Sequence, residues 1–157
     1  MEGFYLDELH VYTLVKWFHI LGISIGFGSN VTHVFWLISA NVDAVNGAEK
    51  LRVVKKIDDR LSVPCYAVAI SCGVIMWLWS WPLMSSWIIV SLVLSTILTV
   101  MGIAFGPFMK KWIKLADDQP ESDRLRILSK RLTLWWISIT SGVLFIIYMM
   151  IWKPTFW

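Results

Sequence analysis

The sequence predicts an all-α integral membrane protein, a four-helix up-down bundle forming a single domain over residues 1–157. Three observations carry that expectation. The 157-residue chain has a mean hydropathy of +0.66 and is 57% hydrophobic, and its charged residues amount to 16% against about 25% in an average soluble domain. Its apolar residues gather into four runs, at about 11–40, 61–79, 87–108 and 132–152, each near or above the roughly 20 residues a helix needs to cross hydrocarbon. Its basic residues sit between those runs. Lys50, Arg52, Lys55, Lys56 and Arg60 lie between the first two, and Lys110, Lys111, Lys114, Arg124, Arg126, Lys130 and Arg131 between the last two. Only Lys16 and Lys153 lie elsewhere. Such a bias places both basic loops in the cytoplasm and both termini outside, in a multi-pass protein of the inner (plasma) membrane. It also removes nucleic acid as a partner, because the net charge of +3 is confined to loops rather than spread over one face.

The elements follow in order. Residues 1–10 read as a short polar leader forming an interfacial turn. The first span carries Lys16, His19, Gly22, Gly26, Ser29 and His33 at steps of three or four, which is one face of a helix. Polar residues inside a span are costly and usually face protein and carry a task. Asn41 to Gly47 is rich in turn formers. Glu49 to Arg60 is charged, with Leu51, Val54 and Ile57 at helical spacing, an amphipathic lead into the second span. Pro64 sits in the first turns of that span, where a missing N–H is best tolerated. Cys65 and Cys72 are about 10 Å apart along a helix, too far for a mutual disulfide. Tryptophans 77, 79, 81 and 87 surround a short uncharged connection and mark a membrane interface. In the third span Ser91, Ser95, Thr99, Gly102 and Gly106 share a face that reads as a packing seam, with Gly22, Gly26 and Gly73 as further close-approach positions. Pro107 is expected to kink or end that helix. Ala116 to Asp123 is the longest polar loop.

The two histidines of the first span are fourteen residues apart, about 21 Å of rise and nearly four turns, so they point the same way. Two bis-histidine haems would need matching histidines on another span, and spans two to four contain none. His19 is the stronger single candidate. Met76 lies at comparable depth on the second span, and histidine with methionine is a haem ligand set. Lys16, one turn outward, could pair with a propionate. His33 lies near the basic end, within reach of water or of Asp58 and Asp59. His19, His33 and the sulfur of Met76 also suit copper, since soft ligands favour Cu(I). No phosphate loop, Gly-x-Ser-x-Gly or His-Glu-x-x-His is present, and no Asp or Glu lies inside a span, which argues against a carboxylate-based pump.

Lys16-Trp-Phe-His-Ile-Leu-Gly22, Asp59-Arg-Leu-Ser-Val-Pro64 with Gly73, and the stretch from Leu132 to Lys153-Pro154 resemble small four-span bacterial membrane proteins of unknown function. More distantly, the same landmarks look like HemJ-type protoporphyrinogen oxidases and the copper-resistance CopD membrane domain. The HemJ likeness implies haem binding at His19. Two features of that group are missing: a lysine soon after the tryptophan that opens the third span, where Trp87 is followed by Ile88 to Val93, and an arginine near Phe35 and Trp36. The expectation is therefore a membrane protein binding haem b in a redox or porphyrin-related role through His19. Its alternatives are copper handling and a non-enzymatic subunit that packs, as a homo-oligomer or in a larger membrane complex, within the lipid bilayer.

Overall fold

The computed structural model describes residues 2–42, 46–119 and 122–157, with the backbone alone at 2–9, 41 and 42. The described residues are almost entirely helical. Helix α1 runs over Glu2–Val42, α2 over Gly47–Ile57, α3 over Val63–Ser80, α4 over Ser86–Asp118 and α5 over Asp123–Trp152. A five-residue π-helical turn, Asp58–Ser62, joins α2 to α3 without a break. Four helices are long and apolar enough to cross a membrane. The expected turn at 41–47 falls partly on 43–45, and the polar loop partly on 120 and 121, outside the described residues.

Three sequence expectations need correction. The stretch before residue 11 is the first part of α1 rather than a turn. At 41 residues and about 1.5 Å each, α1 is roughly twice as long as the hydrocarbon is thick, so it extends beyond the bilayer. Pro107 does not end α4, which continues to Asp118. The proline removes one hydrogen bond, and Gly106 before it relieves the usual clash with the preceding residue; membrane helices tolerate such a step where neighbours compensate. The polar loop is shorter than expected, because α4 takes its first residues and α5 begins at Asp123. Ser122 caps α5, its hydroxyl accepting from the Leu125 N–H at 3.2 Å, the usual third-residue geometry.

The up-down arrangement is fixed by contacts that step in opposite directions along paired helices. Tyr12 meets Trp79 near one end of α1 and α3, His19 meets Ala69 further along, and Ser29 meets Ser62 near the other end. Gly142 meets Leu98, and Phe105 meets Trp136, along α4 and α5. The helices neighbour one another in the order α3–α1–α5–α4, and α3 and α4 barely touch.

The two ends are built differently. At the basic end α2 lays Ala48, Leu51 and Val54 against α1 and α4. These join Leu37, Phe105, Met109, Trp112, Ala116, Leu132 and Trp136 in the main apolar core. Arg52 of α2 is paired with Asp117 of α4, so both basic loops lie at one end. At the opposite end the Phe156 N–H donates to the Ser86 hydroxyl at 3.0 Å. Lys153, which closes α5 in a left-handed conformation (φ 49°), sets its ammonium 4.6 Å from the Trp81 ring centre, and Trp81 meets Trp87 edge-on. The expected aromatic interface is thus a cation–π clamp.

Trp112 is only 2% exposed, whereas Ile103 on the same helix is 73% exposed. Trp112→Ala is therefore expected to lower stability in detergent by about 3–5 kcal/mol. Ile103→Ala is expected to change it by no more than about 0.5 kcal/mol. Reversible unfolding in mixed micelles reads both.

Candidate functional site: a buried polar line between the first and third helices

Lipid cannot satisfy polar groups, so a polar stripe on a membrane helix must find protein. The stripe foreseen on α1 does so against α3. His19 is 8% exposed, and its Nδ1 lies 2.6 Å from the Ala69 carbonyl oxygen. That oxygen can only accept, so Nδ1 carries a proton and donates it. The ring rests on Gly73, where a Cβ would come within 2.9 Å of His19 Cε1. One turn along α1, a Cβ at Gly22 would stand 2.7 Å from the Cys65 carbonyl oxygen, and one at Gly26 would stand 2.9 Å from the Tyr66 ring. These three glycines let the backbones close and seat two aromatic rings.

Towards the basic end the stripe becomes a connected cluster. His33 is 1% exposed and Ser62 is fully buried. The Ser29 hydroxyl stands 3.4 Å from His33 Nε2 and 2.7 Å from the Ser62 hydroxyl. The Ser62 hydroxyl in turn interacts with the Asp58 carboxylate one turn back. The π-helical turn contains both of those residues; π turns are uncommon and concentrate at functional positions. Beside it, tilted to the imidazole, lies an aromatic floor. The Trp136 ring lies 5.5 Å from that of His33 and 4.8 Å from that of Phe105, and Trp136 Nε1 donates to the Asn30 carbonyl at 3.2 Å. Two polar atoms at the cluster, His33 Nδ1 and the Tyr66 hydroxyl, are buried with no hydrogen-bond partner among the described residues. Each such group costs about 1–3 kcal/mol when unmet; Ser91 Oγ and Trp135 Nε1 are buried without a partner in the same way.

Asp58 belongs to the charged run of Glu49, Lys50, Arg52, Lys55, Lys56, Asp58, Asp59 and Arg60. That run lies outside the hydrocarbon, and the apolar part of the span opens at Leu61. Burial first and the neighbouring Asp59 second push the Asp58 carboxyl up to about 6, against the opposing pull of Lys55 and of the Ser62 hydroxyl. A carboxyl with that value exchanges its proton near neutral pH.

Several foreseen residues fall elsewhere. Lys16 is exposed and Met76 half-buried. Cys65 and Cys72 are free thiols. Among the described residues no three His, Cys, Asp or Glu side chains converge as a metal site would require. His33 reaches the acidic pair through two serines rather than directly. At Gly102 and Gly106 a Cβ would meet nothing within 4 Å. The close approach on this side of the bundle is made by Gly142 against Leu98 instead, because α4 buries Ser91 at one end of its Ser/Thr/Gly face but leaves Thr99 and Gly102 exposed. There Thr99 satisfies its hydroxyl on the Ser95 carbonyl of its own helix. Ser62 and Tyr66 were not foreseen as site residues, and Asp58 was foreseen only as one of two carboxylates within reach of His33. The spacing of four from Asp58 to Ser62 to Tyr66 was the available signal, but a charged run ahead of a span also reads as ordinary solvated surface.

Fold and site together define a four-span integral membrane protein with a histidine-centred polar line buried between two of its helices. The chain belongs to the family described as predicted integral membrane protein (DUF2269), which it matches over residues 13–154, so the family region includes the whole polar line. No curated protein and no solved structure matches it.

Gly22 faces rigid backbone and Gly102 faces open space. Gly22→Ala is expected to destabilise by about 1–3 kcal/mol, while Gly102→Ala is expected to be neutral or to stabilise by up to about 1 kcal/mol through helix propensity. Thermal unfolding of the two variants side by side provides the comparison.

Proposed function

We propose that this protein moves protons between its basic end, cytoplasmic by its charge, and the membrane interior, with His33 as the buried acceptor. One observation supports the reading: the polar line that joins Asp58 to Ser62, and Ser62 through Ser29 to His33. A hydroxyl can accept a proton on one side while donating on the other, so two serines in series carry a proton inward without a charged group entering lipid. Asp58 collects it at the half-buried rim, and the lone pair of the His33 imidazole is the acceptor at the inner end. Trp136 and the aromatic floor keep competing water away from the ring.

Protein with 15N-labelled histidine, reconstituted in nanodiscs, tests this through the exchange of the His33 ring proton with water, the signal being assigned by its loss in His33→Phe. Wild type is expected to exchange that proton at least tenfold faster than Ser62→Ala. The rate should rise as the pH falls through about 6, because the protonated donor form of Asp58 then grows. Asp58→Asn should lose that dependence. Equal exchange in wild type and Ser62→Ala would refute the proposal.

A second reading keeps His19 as an axial ligand of haem b, with Lys16 beside a propionate and Met76 opposite, or as a copper ligand. It is favoured by the Nδ1 hydrogen bond to the Ala69 carbonyl, since metal-bound histidines commonly anchor their other nitrogen in this way. The surroundings fit only in part, because Gly73 closes directly on the ring and no cluster of further ligands gathers there among the described residues. The expected result under this reading is a Soret band in protein from a haem-replete host, lost in His19→Ala, or copper in elemental analysis. A colourless, metal-free preparation would remove it.

A further inference from the structure

At the basic end a cleft of about 300 Å³ is lined by Arg52, Lys55, Lys56, Asp59, Arg60 and Ile113. Its charge does not cancel internally. Arg52 is paired with Asp117, and Lys55 is paired with Asp59 at 2.7 Å. Lys56 and Arg60 lie one helical turn apart, both exposed, and neither has a carboxylate within ion-pair distance among the described residues. Two unneutralised cations on one face attract a dianion or a phosphodiester rather than one another. Depth in the membrane narrows the choice. Arg60 directly precedes Leu61, where the apolar part of the span begins, so the cleft stands at the level of lipid headgroups. Ile113 of α4 gives it an apolar wall, and Leu61 and Val63, both exposed, continue an apolar surface downward from Arg60. A free phosphate would leave that wall against water, whereas a phospholipid would cover it with glycerol and acyl chain. Basic recesses between membrane helices on the cytoplasmic side take anionic headgroups for this reason.

We infer that the cleft between α2 and α4 binds the phosphate headgroup of an anionic phospholipid, held between Lys56 and Arg60. The lipid lies over the segment that joins α2 to α3. It shares that segment with the polar line but needs none of its hydrogen bonds, so the inference stands apart from the proton-transfer reading.

The full-length protein in neutral detergent is titrated with dioleoyl phosphatidylglycerol or with dioleoyl phosphatidylcholine, and bound lipid is counted by native mass spectrometry. Wild type is expected to prefer the anionic lipid at least tenfold. Lys56→Gln with Arg60→Gln should abolish the preference. Lys56→Arg with Arg60→Lys, which keeps both charges, should retain it, as should Lys110→Gln with Lys130→Gln, which removes two cations outside the cleft. Equal binding of the two lipids by wild type would overturn the inference, as would a preference that survives the double glutamine variant. So would millimolar inorganic phosphate that erases the preference, since the cleft would then be a site for the free anion.

Discussion

Everything in this protein depends on the burial of one polar stripe of α1 against α3. Two histidines, a serine and three close-packed backbone positions lie along that contact. In water such groups could be left to solvent; in a bilayer they have to be met by protein or they prevent insertion. Gly22, Gly26 and Gly73 make the meeting possible, because each removes a side chain at a point where the opposing helix or a ring lies within about 3 Å of the Cβ position. Close backbones then let short polar groups meet. His19 donates to the Ala69 carbonyl, and the Ser29 and Ser62 hydroxyls bond each other. Long side chains at those positions would have separated the helices and left the stripe unsatisfied.

The hydroxyls outside this seam show the contrast. Thr32, Thr96, Thr99 and Ser138 are exposed, and each bonds a carbonyl four residues back in its own helix. That is the local solution open to any serine or threonine in a membrane helix. Ser29 and Ser62 instead bond each other across the interface, and so connect a buried imidazole to a carboxylate at the half-buried rim. The π-helical turn belongs to the same economy. Its wider turn carries Asp58 and Ser62 together at the junction of a charged helix and an apolar one, where a proton, an ion or a lipid headgroup would first meet the bundle.

The ends of the bundle complement that seam. At the basic end the amphipathic α2 folds back between α1 and α4 and supplies Leu51 and Val54 to a core that includes Trp112, Phe105 and Trp136. The aromatic part of this core is also the floor under His33. At the opposite end a smaller set that includes Ser86, Ile88 and Met149 is buried, and the chain is held by tryptophans and by Lys153 over Trp81. The main apolar core therefore lies beside the polar cluster.

Much of this was legible in the sequence. Hydropathy and the grouping of basic residues determined four membrane helices with both basic loops at one end, because lipid imposes that pattern on any spanning chain. Helical spacing alone placed His19, Gly22, Gly26, Ser29 and His33 on one face, and α1 presents that face to α3. Partners were not legible. Spacing says which residues share a face but not which face of another helix it meets, so Gly102 and Gly106 read as a seam although they point outward, while Gly142 makes the contact. Only the tertiary structure decided that His33 lies sealed over Trp136 and is tied through Ser29 and Ser62 to Asp58. The physical reason is that these contacts arise from the register between two separately formed helices, and that register is set by packing at the interface, which no single stretch of the chain encodes.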